Sequence, residues 1–119
     1  KFLKNISFKR MKNYYVNNDL MVLPSTNEPA SISVIESLSY GKPVICSTTC
    51  GTRGYINPNK NGAIFKNNDL NDLTEKIKYF ADKFYRGDAL EFYCRESFMN
   101  NASDKVFRKY LKKIMKVIN

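Results

Sequence analysis

The stretch from Asp19 to Ser47, DLMVLPSTNEPASISVIESLSYGKPVICS, limits the choice of fold more than any other. Leu20 to Leu23 is an unbroken apolar run, and Val44 to Cys46 is another. Such runs suit strands buried on both faces of a parallel sheet, whereas half-buried antiparallel strands alternate. Parallel neighbours need a crossover connection, usually a helix. The sequence therefore predicts a buried strand, a tight turn, a helix opening just after Pro29, and a second buried strand from near Pro43. The unit is a βαβ crossover.

Two carboxylates bracket the turn and the helix. Glu28 lies at the carboxyl end of the first strand, and Glu36 lies inside the helix. Ligands of open α/β sheets bind outside the carboxyl ends of strands, where helix N-termini also point. The backbone N–H groups of Ala30, Ser31 and Ile32 would carry the positive end of the helix dipole there. That is an anion site, most simply a phosphate site. Acids beside it suit hydroxyl groups attached to the phosphate, such as those of a ribose or a sugar. Each acid alone has a plainer reading. Glu36 suits a solvent-facing helix position, and Glu28 would favour the dipole by about 0.3–1 kcal/mol.

Taken together, the residues resemble a family. Glu28, Glu36 and then Gly41-Lys42-Pro43-Val44-Ile45 are similar to the retaining nucleotide-sugar glycosyltransferases of the glycosyl transferase group 1 family (family 4). Upstream, Tyr14 and Tyr15 followed by Asn18-Asp19 and Val22-Leu23-Pro24-Ser25 resemble its "YxxADxxVLPS" segment. Downstream, Gly51, Asn61-Gly62 and Phe65 match its "G…NG.lf" passage, and Ser97-Phe98 and Tyr110-Leu111 resemble its closing helices. The resemblance covers nearly the whole chain. It implies a two-domain (GT-B) enzyme of which residues 1–119 are a fragment of the C-terminal, donor-binding domain, with the acceptor domain and the early part of the donor domain absent. A chain opening on Lys1-Phe2-Leu3 fits a fragment.

By the same resemblance, Glu28 takes the catalytic position against the donor sugar. Glu36 binds the ribose, and Ala30, Ser31 and Ile32 bind the phosphates. The loop near Ile6 approaches the nucleotide base. The family's turn is commonly Gly-Phe-Gly after the first Glu, whereas here it is Pro29-Ala30-Ser31, and proline has no N–H to offer. The implied reaction transfers a sugar, hexosyl in type, from a UDP- or GDP-sugar to a saccharide or lipid-linked acceptor with retention, in cell-surface polysaccharide or glycolipid synthesis. No cofactor is implied, and without an Asp-x-Asp motif no essential metal. The fragment alone is expected to be inactive.

With 119 residues the chain is one domain of ordinary size. The formal net charge is +9. A solvated lysine-rich surface accounts for it, as would attraction to anionic lipid, a phosphorylated donor or nucleic acid. No RNP-type, KH-type or zinc-finger pattern supports a nucleic-acid module, so no nucleic-acid partner is expected. A non-catalytic interaction module, or a basic nucleic-acid-binding one, is the alternative reading. A dinucleotide-binding domain would want a G-x-G-x-x-G turn, and the chain has none. Three cysteines and no histidine argue against a zinc site, a disulfide framework and any His-based nucleophile scheme. Reduced thiols point to the cytoplasm, and no apolar run approaches ~20 residues.

Lys1 to Ile6 reads as the stub of a strand, and Ser7 as the cap of a helix over Phe8 to Val16 with Met11, Tyr14 and Tyr15 inward. The two tyrosines read as packing residues. Asn61-Gly62 signals a turn before a short third strand, Ala63 to Phe65. Leu70, Leu73, Ile77, Phe80 and Phe84 share one face of a helix opened by Asn68 or Asp69 and broken by Gly87. Asp88 with Glu91 suggests a capping box for the next helix, which ends near Asn100. Ser103 would cap the last one. That helix sets Phe107, Tyr110, Leu111, Ile114 and Ile118 on one face among six basic residues. It reads as a surface helix docked by its apolar face, and as an element that could lie on the inner face of a membrane or support a homo-oligomer. The predicted fold class is α/β: Rossmann-like, with a partial parallel sheet of about three strands plus the stub, flanked by helices and helical at its C-terminal end.

Overall fold

The computed structural model describes residues 2–118. Its sheet has three parallel strands, β1 (Met21–Leu23), β2 (Val44–Ser47) and β3 (Gly62–Phe65), in that order. Met21 pairs with Val44, and Val44 in turn with Gly62. The sheet is Rossmann-like and partial, as the apolar runs predict. The strand stub is a correction. Among the described residues, 2–6 enter no strand, because no ladder partner lies beside them, and Lys1 falls outside the described residues.

Every residue of β2 is buried. Its side chains alternate between two apolar clusters. Val44 and Cys46 pack with Val34 and Leu38 of helix α2 (Ile32–Ser39), with Cys50 and Ile56, and with Cys94 of helix α4 (Leu90–Asn101). Ile45 faces the other way, toward Ala63, Phe65, Leu90 and Phe80 of helix α3 (Leu70–Arg86). Helices therefore cover both faces of the sheet.

Helix α1 (Phe8–Val16) has the predicted bounds, and Tyr15 is its buried residue. Asp69 caps α3, its side chain accepting the Asp72 amide at 2.9 Å, and Gly87 ends it in the left-handed region at φ 75. Three expected caps differ. Ser7 holds the N-cap position of α1, but its side chain makes no cap hydrogen bond. Ala89, not Asp88, occupies the N-cap of α4, because the Asp88 carboxylate pairs with Lys83 at 3.3 Å and Glu91 with Arg95 at 2.8 Å. The Ser103 hydroxyl turns back to the Met99 carbonyl at 2.8 Å, leaving only its backbone carbonyl to open the last helix, α5 (Asp104–Ile118).

That last helix is also not docked by its apolar face. None of its described residues is buried, and Phe107, Tyr110, Ile114 and Ile118 are all exposed. Its amphipathic pattern has nothing to close upon among residues 2–118.

Burial, and next the neighbouring Cys50, push the Cys46 thiol up to about 12; burial, and next Glu91, push Cys94 up to about 12. A proton held more tightly in the folded state contributes stability below the unfolded value, and that contribution is lost as pH rises toward the folded one. Unfolded thiols titrate near about 8.5. The denaturation midpoint is therefore expected to be level from about pH 6 to about pH 8 and to fall steadily above about pH 9. Urea titrations at both ends of that range check this, and an unchanged midpoint at alkaline pH contradicts it.

Candidate functional site

Behind the carboxyl end of β1 the chain is pinned to the loop that leaves β2. The Ser47 hydroxyl donates to the Ser25 carbonyl, and Thr49 Oγ1 donates to the same oxygen at 3.0 Å. Three residues on, Glu28 forms an isolated parallel bridge with Cys50, and the Gly51 amide donates to the Glu28 carbonyl at 2.7 Å. A Cβ on Gly51 would lie 1.8 Å from the Pro29 carbonyl oxygen. Only glycine lets the two backbones come this close.

This pinning delays the helix. Residues 29–31 are not helical, and α2 opens at Ile32, later than the position just after Pro29. Of the three expected phosphate donors, Ala30 is already engaged, its amide donating to Glu28 Oε1 at 3.2 Å. Ser31 is the N-cap residue, extended and buried, but its hydroxyl meets that of Ser33 at 2.7 Å and caps nothing. The first turn of α2 thus has no side-chain cap, and Ile32 at its tip is 71% exposed. A helix end of this kind concentrates partial positive charge on amides open to solvent.

Glu36 sits one turn further in, half-buried on the side of α2 that faces α1. Tyr15 donates its hydroxyl to Glu36 Oε2 at 2.8 Å, and its ring stacks on Tyr40 with centroids 5.3 Å apart and planes 11° from parallel. Burial first, and then the Glu36 carboxylate, hold the Tyr15 phenol well above its ordinary range, so it remains a donor at neutral pH. These side chains wall a cleft of about 380 Å³ that also takes in Phe8, Lys9, Lys12 and Ser39. Glu28 does not line this cleft, and its carboxylate turns back onto its own loop. The two acids therefore stand at opposite ends of the opening segment of α2, joined by no hydrogen bond.

Sequence reasoning underrated Tyr15, which reads as packing until its contact with Glu36, 21 residues away, is seen. Ser47, Thr48, Thr49 and Thr52 suit turn and cap roles better than ligand contacts by sequence. Their hydroxyls serve the fold: Thr48 Oγ1 accepts the Asn67 amide at 3.2 Å, and Thr52 meets Cys50 Sγ at 3.1 Å. Among the described residues no three His, Cys, Asp or Glu side chains gather as a metal site.

Residues 1–85 match the family described as "Glycosyl transferases group 1". An uncharacterized glycosyltransferase of Methanocaldococcus jannaschii is 28% identical over 110 residues, which is 92% of this chain and 26% of that protein. Among solved structures, sucrose-phosphate synthase from Thermosynechococcus elongatus superposes with a TM-score of 0.86 at 22% identity, over 99% of this chain and 30% of that one. A glycosyltransferase from Rickettsia africae gives 0.78 at 23% identity, over 90% of this chain and 29% of that one. Anabaena HepE, solved in complex with UDP, gives 0.77 at 15% identity, over 87% of this chain and 29% of that one. The chain thus spans between a quarter and a third of the length of these relatives.

Replacing Gly51 by Ala is expected to push the Glu28–Pro29 backbone off β2's exit loop and to cost about 1–3 kcal/mol, the usual range for overpacking. Urea denaturation of Gly51→Ala measures this. A midpoint equal to that of the parent chain means the close approach is not required.

Proposed function

Because this chain belongs to the glycosyl transferases group 1 family, we propose that residues 1–119 form part of the donor-binding domain of a nucleotide-sugar-dependent glycosyltransferase. The observation that carries the reading is the uncapped first turn of α2, set just past the carboxyl end of β1 and followed one turn later by a carboxylate. Diphosphate is the ligand such a helix end suits best, and vicinal ribose hydroxyls are what a carboxylate beside it can recognise. The UDP bound to Anabaena HepE supports a nucleotide of this kind.

In this reading the open amides begin at Ile32, with Ser31 as the buried N-cap beneath them. Ala30 becomes available when the Glu28 carboxylate turns from its own loop toward the donor sugar. Glu28 then supports positive character at the anomeric carbon, and the helix end stabilises charge gathering on the departing diphosphate. Glu36 receives the ribose, and the loop near Ile6 lies toward the base. The family resemblance favours retention at the anomeric carbon and a hexosyl donor.

The acceptor is proposed to be a saccharide or lipid-linked saccharide on the cytoplasmic side of a membrane, as in cell-surface polysaccharide or glycolipid synthesis. Support comes from α5, whose exposed Phe107, Leu111, Ile114 and Ile118 run beside Lys105, Lys109, Lys112, Lys113 and Lys116. A basic helix with an open apolar face suits an anionic bilayer surface, where each cation contributes about 1 kcal/mol. Among the described residues no helix is long and apolar enough to cross a membrane.

A micromolar ligand needs about 8 kcal/mol, and a helix end contributes at most about 2 kcal/mol toward holding an anion. The 119-residue chain is therefore expected to bind its nucleotide at millimolar strength or weaker and to transfer no sugar. Ligand-observed NMR with UDP, GDP, ADP and their sugars tests the site. One nucleotide should show selective contact that Glu36→Ala weakens; contact that ignores the substitution, or none at all, removes the donor site from these residues. Flotation with vesicles tests α5. Capture should require phosphatidylglycerol and fall several-fold with Lys109→Glu plus Lys112→Glu, and equal capture by neutral vesicles would contradict the electrostatic part.

A further inference from the structure

We infer that Tyr15 is a positioning residue for donor binding, its hydroxyl fixing the Glu36 carboxylate in the direction from which it meets the ribose. This rests on the donor-site reading above and adds to it a residue on a different helix.

Glu36 and Tyr40 are four apart, so they share the face of α2 that looks toward α1. Tyr15 meets both at once, with its ring on Tyr40 and its hydroxyl on Glu36 Oε2. The ring is 8% exposed, so neither ring nor hydroxyl is free to wander. Glu36 by contrast is a long, flexible side chain beside an open cleft that also holds Lys9 and Lys12. Without a fixed partner its carboxylate could turn to either ammonium group. One hydrogen bond from Tyr15 occupies one of the roughly four acceptor positions of a carboxylate and leaves the rest for two ribose hydroxyls. The order is set before the ligand arrives, which is how a site avoids an ordering cost on binding.

A purely structural tyrosine would support the fold equally whatever nucleotide is offered. A positioning tyrosine acts only through Glu36, and only on ligands that have ribose hydroxyls. The experiment is a double-mutant cycle on the intact protein that carries this chain, with wild type, Tyr15→Phe, Glu36→Gln and the double variant. Each is titrated with UDP, GDP and ADP, and with the 2′,3′-dideoxy counterpart of whichever binds tightest. Phenylalanine keeps the stack on Tyr40 and removes only the hydroxyl.

Tyr15→Phe is expected to raise Kd by about 5- to 10-fold, in the range of one ordinary net hydrogen bond. It should leave Kd for the dideoxy ligand within about 2-fold, and the double variant should be no weaker than Glu36→Gln alone. A Tyr15→Phe protein that loses the same factor on both ligands, or whose loss adds fully to that of Glu36→Gln, overturns the inference in favour of packing. If Glu36→Gln weakens binding while Tyr15→Phe does not, the positioning role fails and the donor site stands. If no nucleotide binds, or Glu36→Gln has no effect, the donor-site reading fails and takes this inference with it.

Discussion

The structure depends on β2 being buried on both faces and paired on both edges. Its four residues are all buried, and its backbone holds β1 on one side and β3 on the other. A strand with no exposed face or edge leaves little room for register slippage, because a shift of one residue exchanges Val44 and Cys46 with Ile45 between two different cores. The fixed register brings the two loops at the carboxyl ends of β1 and β2 together. The bonds from Ser47 and Thr49 to Ser25, and from Gly51 to Glu28, then hold the entry to α2. What reaches the helix end is decided by the sheet beneath it.

The helix end gains its character from two hydroxyls that do not cap it. Ser31 and Ser33 satisfy each other, so the dipole of α2 meets solvent without a side-chain acceptor. A carboxylate there would bind the helix end itself, and Glu28 stands close by, its side chain holding the Ala30 amide just before the N-cap. An arriving diphosphate would compete with that carboxylate for the same positive end. In the proposed reading Glu28 holds the anion's place and, once displaced, turns toward the sugar. Glu36 is differently placed: its partner is a hydroxyl on another helix, which holds its direction.

Much of this was legible in the residues, because strong local patterns decided it. The apolar runs gave β1 and β2, the three-four spacing of Leu70, Leu73, Ile77, Phe80 and Phe84 gave α3, and Gly87 gave its end. Three of the misses share a cause, which is that a polar group found a better partner outside its own segment. Asp88 preferred Lys83 to a cap, Ser103 preferred Met99, and the Glu28 loop preferred Cys50 and Gly51 to an early helical turn. Local motifs cannot foresee these choices, since the competing acceptor or cation belongs to another element. Tyr15 is the same lesson at the site, with apolar packing and polar contact combined in one side chain. In α5 the pattern was read correctly, but the surface it was expected to cover is not among residues 2–118.

The central claim is that the first turn of α2 receives the phosphates of a nucleotide. It is tested most directly by following the backbone amides of the ¹⁵N-labelled chain as UDP, GDP or ADP is added to millimolar concentration. The account predicts that the amides of Ile32, Ser33 and Val34 shift first and furthest, with the Ala30 amide following as Glu28 lets go. Shifts confined to the lysines of α5 and to other surface amides, with 30–34 unmoved, would mean that the charge of the chain attracts the nucleotide and that this helix end does not.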